Sequence, residues 1–504
     1  MLRNEIKKII KQAIGKTAIV EHPIEAVFGD YSTNVAMKEQ LNPNDVAEKL
    51  KSHKLFEKVE VKGGFINFFI NKEYLQKQIN EILDKKEKFG DLKVGDGTKV
   101  QVEFISANPT GPLTLGNGRG GFCGDVLANV LKKVGYEVER EYYINDRGGQ
   151  IKKLGHSVIG DDEAVYKGDY IKELAKKIKG KDPEKVGEKA VEYILEKMLK
   201  PTIKQMGVKY DKWFPETDLY KKKEVEKTLK ELKDKDLAYE KEGALWFRST
   251  KFGDDKDRVL VKSTGEETYF ASDIAYLKDK KDRGFDKIIY YWGADHHGYV
   301  GRLKAASQAI GFDKDDIEII LMQMVKLFQD GKEVKMSKRA GTYITLDELF
   351  DEVSVDVSRY FFLSRANNTH LNFDLNLAKE QSQNNPVYYV QYAYARINSI
   401  LKKAKYKNVK ELKLLNSPSE LNLIKQLIKF PEIVEDSAKD HQLQRLPQYA
   451  TDTAVAFHRF YTECRVIDEK NKDLTQERLN LITATKIVLK NTLNLMGITA
   501  PEKM

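Results

Sequence analysis

The stretch VQVEFISANPTGPLTLGNGRGG (residues 100–121) places an apolar run, Val100–Ala107, directly before a loop with two prolines and five glycines between Asn108 and Gly121. The next segment, GDVLANVLKKVGYEVEREYYI (124–144), reads as a helix and then a second strand. Strand, glycine loop, helix, strand is how a parallel α/β domain begins. The pattern resumes at DKIIYYWGADHHGY (286–299), continues through a helix in RLKAASQAIGF (302–312) and a strand in IEIILMQMVKLF (317–328), and ends at GKEVKMSKRAGTYIT (331–345). Gly331 and Gly341 give that last segment a loop-like character.

Outward from this core the pattern changes on both sides. Before residue 92 it runs helix, a turn at Gly29-Asp30, helix, and two short strands within KVEVKGGFINFFI (58–70) around Gly63-Gly64. Residues 152–240 are lysine-rich and mostly helical, which predicts an insertion. Beyond residue 375 helical stripes dominate, as in VYYVQYAYARINSILKKA (387–404) and LITATKIVLKNTLNLM (481–496). The expected organisation is a small α+β domain (1–92), a Rossmann-type α/β domain (93–345), a connecting segment (346–375) and an all-helical domain (376–504).

Composition narrows the function classes. The 504 residues are 41% apolar, enough for several cores, and 86 basic residues face 77 acidic ones for a net charge of +9. That surplus favours an anionic partner, although a solvated Lys/Glu-rich surface accounts for it equally well. Two cysteines, Cys123 and Cys464, exclude a disulfide framework and a Cys-rich zinc module, and a reducing cytoplasm fits. The N-terminal segment places Leu2, Ile6, Ile9, Ile10 and Ala13 at helical spacing with charges opposite, unlike a signal peptide, and no apolar run reaches membrane-spanning length.

Gly116-Asn-Gly-Arg-Gly-Gly121 formally matches G-x-G-x-x-G, with Glu139 and Glu141 about twenty residues on. In a dinucleotide fingerprint the first glycine leaves the strand almost directly, whereas Asn108–Leu115 intervene here. The match alone is equally that of a tight packing loop. A second cluster, Lys335-Met-Ser-Lys-Arg339, supplies three cations that would neutralise a polyphosphate as charge builds on a departing pyrophosphate.

Together the two clusters resemble the paired signatures of class I aminoacyl-tRNA synthetases. The surrounding words are similar to the arginyl-tRNA synthetase family: GDYSTNVA (29–36), GGFINF (63–68), VEFISANPTGPL (102–113), YYINDRGGQI (142–151), ETYFASDIAY (267–276), WGADHHGYVGRLKAA (292–306), VKMSKRAGT (334–342), DVSRYFFLSR (356–365), NPVYYVQYAYARI (385–397) and GITAPEKM (497–504). They occur in the family's order. The family's first signature reads His-x-Gly-His, and here Thr114-Leu115-Gly116-Asn117 replaces it. Hydroxyl and amide still donate hydrogen bonds but carry no positive charge, so ATP binding is expected to survive while the activation rate is less determined.

The resemblance implies ATP-dependent ligation of L-arginine to its tRNA through an arginyl-adenylate, in a monomeric cytoplasmic enzyme with no membrane partner. It implies catalytic roles for Thr114, Asn117, Lys335 and Lys338. ATP would meet Pro109, Thr110, Gly111, Gly116, Asn117, Gly118, Met336, Ser337 and Lys338. A planar guanidinium asks for buried carboxylates, and Glu103 and Asp273 are the candidates. By the same resemblance Asn108 would hold the α-amino group, Tyr269 would line the pocket and His296 would lie near. Such a pocket rejects lysine, which lacks the paired geometry, and citrulline, which lacks the charge. Phe65 and Asn67 in the first domain, and Tyr389 and Arg396 in the last, are the tRNA candidates, and Tyr388, Tyr392 and Tyr394 share that helix. Asp295-His296-His297 is not expected to bind metal, because adjacent histidines on a strand face opposite ways. Mg²⁺ enters only with ATP, and no zinc is expected. Two other readings stay open: a nicotinamide-dependent oxidoreductase, which leaves Lys335–Arg339 unexplained, and a synthetase-like paralogue that binds tRNA without charging it, suggested by Thr114 and Asn117.

Overall fold

The structure, a computed structural model, describes residues 1–334 and 344–504. They form two compact units: Lys93–Glu380 with residues 441–444, and Met1–Leu92 with Gln381–Asp440 and Arg445–Met504.

The first of these units is built on five parallel strands: β1 (Lys99–Glu103), β2 (Glu137–Ile144), β3 (Lys212–Pro215), β4 (Lys287–Gly293) and β5 (Ile317–Met322), in the spatial order β5-β4-β1-β2-β3. Helices α1 (Leu115–Lys133), α2 (Tyr269–Asp282) and α3 (Val300–Ala309) connect or cover them. Residues 100–103 of β1 and 288–291 of β4 are buried without alternation, as expected where both sheet faces are covered. The strand order reverses between β1 and β4, and the crevice beyond their carboxyl ends is where open α/β sheets receive ligands. This is the Rossmann-type architecture read from residues 100–144.

Two local expectations are corrected. Lys212–Pro215, inside the segment read as a helical insertion (152–240), is the edge strand of the main sheet. At four residues, in a lysine-rich context, its period-two signal is too short to stand out. The run 317–328 is two strands, Ile317–Met322 and Val325–Gln329, and the second pairs with Lys332–Val334 and Leu371–Asp374 in a separate three-stranded sheet. A further antiparallel sheet, Ala238–Lys241, Ala244–Phe247 and Arg258–Val261, went unread in the sequence.

The second unit joins the two ends of the chain. Its N-terminal part carries a three-stranded antiparallel sheet in which Phe56–Lys62 and Phe65–Ile70 form a hairpin, turning at Gly63 and Gly64 with φ of 58° and 85°, the left-handed pair that such a turn needs. Its C-terminal part is all helical: Pro386–Lys403, Pro418–Ile428, Phe430–Asp440, Arg445–Glu463 and Lys472–Met496. Arg3 donates to Asp436 and Glu435 at 2.8 and 2.7 Å, and Tyr31 donates to the buried Glu432 at 3.0 Å. The two ends of the chain thus pack together within one compact unit.

Candidate active site

Beyond Glu103, at the carboxyl end of β1, the chain turns sharply. Ile105 and Ser106 take φ of 63° and 39°, a left-handed conformation costly for any side chain and most of all for a β-branched one. Neighbours hold the turn in place. Tyr210 donates to the Phe104 carbonyl and Tyr142 to that of Ala107, each at 2.8 Å, while the Ser106 hydroxyl accepts from the Tyr143 amide at 3.1 Å. Further along, Tyr170 donates to the Thr110 carbonyl at 3.0 Å. Backbone strain is concentrated where the loop leaves the sheet, at the mouth of the crevice.

The loop ends in a capping box that starts α1. The Thr114 hydroxyl accepts from the Asn117 backbone N–H, and Asn117 Oδ1 accepts from both the backbone N–H and the hydroxyl of Thr114, each at 2.9 Å. Because Oδ1 must face those donors, the Asn117 amide NH₂ points away from the box. Thr114 is also bridged to Thr345, and the Leu346 amide donates to the Leu113 carbonyl at 2.9 Å. Thr345 in turn opens α4 (Leu346–Glu352) with its own capping box to Glu348. The segment just after residues 335–343 is therefore joined directly to the segment that begins α1.

Three glycines of α1, Gly118, Gly121 and Gly124, answer to protein neighbours. A Cβ on Gly118 would stand 2.4 Å from Leu346, and one on Gly124 would stand 2.3 Å from Phe104. Gly116 faces open space apart from the Thr114 hydroxyl at 3.6 Å. The G-x-G-x-x-G spacing thus lies inside a helix, and its second and third glycines serve close packing, Gly118 against Leu346 and Gly121 against Met206 and Ile105, which removes the basis for a dinucleotide fingerprint.

Three carboxylates converge beside this loop. Glu103 comes from β1, Asp273 from the second turn of α2, and Glu216 from the residue after β3; Glu103 and Glu216 are buried. Burial pushes Asp273 up to about 7, against a hydrogen bond from Tyr299 and with further upward pressure from the negative charges of Glu216 and Glu103. Burial also raises Glu216, partly offset by Ser272, Arg147 and Tyr143. Asp273 and Glu216 have no ion-pair partner among the described residues. Tyr143 feels all three acids, and burial followed by Glu216, Asp273 and Glu103 drives its phenol far above the ordinary value. Uncompensated acids packed this closely are costly until a cation arrives.

Glu103 is balanced differently. Its Oε2 accepts from Lys280 Nζ at 2.6 Å and from the Tyr276 hydroxyl at 2.9 Å. Tyr276 also reaches Glu141, which Arg283 holds through 2.6 and 3.0 Å contacts. Burial favours neutral Glu141, but the Arg283 hydrogen bonds and the Lys280 charge outweigh it and leave Glu141 below its ordinary range. Asp273, Tyr276, Lys280 and Arg283 recur at i, i+3, i+7 and i+10, so one face of α2 and its end carries all four.

The remaining sequence candidates are distributed around this cluster and beyond it. Tyr269, the first residue of α2, is 60% exposed and its hydroxyl lies beside Gly148. Asn108 is exposed and its carbonyl accepts from Thr110 at 2.7 Å. Pro109 and Gly111 are buried in the same loop. The His296 side chain is 60% exposed, 3.7 Å from Asp295, and takes no part in the hydrogen bonds of the acid cluster. In the other unit Phe65 is 43% exposed, whereas Asn67 is buried at 4%. The Tyr389 ring is 4.7 Å from that of His458, the Arg396 guanidinium lies 5.0 Å over Tyr461, and Tyr394 is buried. Lys335, Met336, Ser337 and Lys338 lie outside the described residues. The sequence reading missed Glu216 and Lys280; only the helical spacing from Asp273 could have pointed to Lys280.

Comparison with known proteins decides the family. Residues 1–70 match the arginyl tRNA synthetase N terminal domain, residues 78–175 and 159–399 the catalytic domain of class I (R) tRNA synthetases, and residues 390–504 the DALR anticodon binding domain. The chain belongs to the arginyl-tRNA synthetase family. The arginine–tRNA ligase of Carboxydothermus hydrogenoformans is 46% identical, the match covering 96% of this chain and 94% of that protein. That of Bacillus subtilis is 42% identical over 100% and 98% of the two chains. Among solved structures, Thermus thermophilus arginyl-tRNA synthetase superposes with a TM-score of 0.80 at 22% identity, covering all of both chains, and the Plasmodium falciparum enzyme with 0.81 at 19%, covering 100% of this chain and 99% of that one. At those identities the superpositions speak to the fold, and all three parts of the family architecture are present. No described helix is long and apolar enough to cross a membrane.

Proposed function

We propose that the chain ligates L-arginine to its cognate tRNA at the expense of ATP, through an arginyl-adenylate, releasing pyrophosphate and then AMP. The observation that carries this reading is the convergence of Glu103, Glu216 and Asp273 on the loop before α1, with two of the three lacking an ion-pair partner among the described residues. A substrate guanidinium supplies the missing charge and, being planar, is held by paired hydrogen bonds.

In the first step the arginine carboxylate attacks the α-phosphate of ATP, and the bond to the β-phosphate breaks. Neither step needs a protein nucleophile; both need positioning and neutralisation of charge. Asp273, Glu216 and Glu103 grip the side chain, Tyr269 and His296 stand at the rim, and Asn108 receives the α-amino group. The nucleotide, with its Mg²⁺, lies along Pro109–Gly111 and Gly116–Gly118 at the start of α1, where backbone N–H groups and the Asn117 amide donate to phosphate oxygens. Thr114 acts by fixing that amide. Lys335 and Lys338, with Met336 and Ser337, take up the charge of the departing pyrophosphate. In the second step a terminal ribose hydroxyl of the tRNA attacks the acyl carbon and AMP leaves. Phe65, Tyr389 and Arg396 are the tRNA contacts we favour; buried Asn67 would serve by shaping the strand beneath Phe65. We read the enzyme as a cytoplasmic monomer with functional segments 1–92, 93–345, 346–375 and 376–504.

Arginine-dependent exchange of pyrophosphate into ATP, run with and without tRNA, tests the assignment. We expect exchange with tRNA present and little without it. Its absence under both conditions favours a tRNA-binding paralogue that does not charge.

A further inference from the structure

Beneath the acid cluster lies a lysine that no step above uses. Lys280 is fully buried, and its ammonium donates to Glu103 Oε2 at 2.6 Å and to the Tyr290 hydroxyl at 3.0 Å. It also sits 4.2 Å from the ring centres of both Tyr276 and Tyr290. Two acceptors and two aromatic faces leave the ammonium little freedom.

Such a residue is not explained by stability alone. A buried ion pair commonly gains little over well-packed apolar side chains of the same volume. The placement of this one is informative: it lies under one acid of a cluster that must receive a cation. Lys280 and Tyr276 both act on Oε2, whereas Oε1 of Glu103 accepts no hydrogen bond among the described residues and the side chain keeps 8% of its surface open. A carboxylate held through one oxygen keeps its plane and presents the other in a fixed direction, as recognition of a planar fork requires.

We infer that Lys280 is a positioning residue for arginine selection, clamping Glu103 through Oε2 so that Oε1 is aimed at the substrate guanidinium. The inference rests on the reading of Glu103 as an arginine ligand. Lys280 has a second consequence for charge. Within the buried lattice Lys280 and Arg283 offset Glu103 and Glu141, so the field available to the substrate comes from Asp273 and Glu216 while Glu103 contributes direction. Lysine suits this role because it is a compact charge that cannot imitate the fork it helps to recognise.

The test is a cycle of variants of the full chain, assayed by steady-state aminoacylation with tRNA: Glu103→Gln, Lys280→Met, Lys280→Gln and Glu103→Gln/Lys280→Met. We expect Glu103→Gln and Lys280→Met each to raise KM for arginine about 10- to 100-fold, with kcat and KM for ATP within about threefold of the parent. Lys280→Gln, which keeps a donor and is less prone to unfold, should raise it by a smaller factor. The double variant should match Glu103→Gln, because a residue acting only through its partner adds nothing once the partner is altered. A normal arginine KM in Lys280→Gln and Lys280→Met, a double variant far worse than Glu103→Gln, or equal losses in KM for arginine and ATP would overturn the inference. A normal KM in Glu103→Gln alone would instead overturn the reading of Glu103 as a ligand.

Discussion

Two halves of one acidic region obey opposite rules. Below the crevice, the buried Glu103 and Glu141 are each paired with a cation, Lys280 and Arg283, the latter shared with the partly exposed Glu139 and Asp279. At its wall, Asp273 and Glu216 are held, among the described residues, by hydrogen bonds and by more distant positive groups. The paired half, with a cation on each of its buried acids, orients; the unpaired half is costly as it stands and supplies attraction. A binding site for a cation differs from a structural ion cluster in this incompleteness.

The largest expected effect breaks the unbalanced half. Asp273→Asn keeps shape and removes charge, and losing a charged partner from a buried recognition pair costs about 2–5 kcal/mol. At about 1.4 kcal/mol per tenfold, kcat/KM for arginine should fall by about 30- to several thousand-fold, with KM for ATP little changed. Steady-state kinetics at pH 8 check this. Sharing of the loss by ATP would mean that Asp273 supports the whole crevice rather than the amino acid.

The same carboxyl gives the comparison a pH axis. Burial pushes Asp273 up to about 7, so below that pH the empty site holds it neutral, and a guanidinium must displace the proton. kcat/KM for arginine should therefore fall about tenfold per unit on the acid side of pH 7 and level off above it. The stability linkage has the opposite sign. The folded state binds this proton more tightly than the unfolded chain, so the Asp273 contribution worsens as pH rises from about 4 to about 7. Added arginine should raise the melting temperature more at pH 8 than at pH 6. A flat profile would place the acid limb elsewhere.

Local pattern in the sequence reaches some of these residues and not others. The order β1, loop, α1, β2 is legible because hydrophobic period and glycine punctuation are local. Glu103 and Asp273 are accessible through the words that surround them. Glu216 is not: it comes after a four-residue strand within a lysine-rich helical stretch, and its value as an acid depends on where β3 joins the sheet. Lys280 is hidden for a related reason. In DIAYLKDKKDR it is one of several lysines, and only packing against β1 separates the buried one from those in water. The glycines mislead in the other direction, since two of the three in G-x-G-x-x-G are also what a helix needs when Leu346 presses on Gly118 and Ile105 and Met206 press on Gly121.

A smaller effect separates the acids from the phosphate end. The Asn117 amide NH₂ is turned out of the capping box, whereas its Oδ1 is committed within it. Asn117→Asp keeps the acceptor and replaces a donor with an anion. Stability should hold or rise slightly, since a negative charge at a helix N-terminus is worth about 0.3–1 kcal/mol. Adenylate formation should fall about 10- to 100-fold through repulsion of the phosphates, with KM for arginine nearly constant. Thermal unfolding alongside single-turnover exchange distinguishes the two roles. Loss of stability with unaltered exchange would reduce Asn117 to a cap.

The smallest effect uses the two capping boxes that face each other across the Thr114–Thr345 bridge. Removing either hydroxyl costs the helix about 1 kcal/mol, so Thr114→Ala and Thr345→Ala should lower the melting temperature by similar amounts, about 1–2 °C each. Their kinetics should differ. Thr345 caps α4 and its hydroxyl makes no contact with Asn117 among the described residues, so Thr345→Ala should leave adenylate formation within about twofold. Thr114 fixes the Asn117 amide directly, and its loss frees that amide to rotate, so a several-fold slower exchange is expected. Because the stability loss is matched, any difference in rate reports the orientation of one amide rather than the general loosening of a helix. Equal rates in the two variants would show that the box exists for the helix alone and that the backbone N–H groups of α1 suffice for the phosphates.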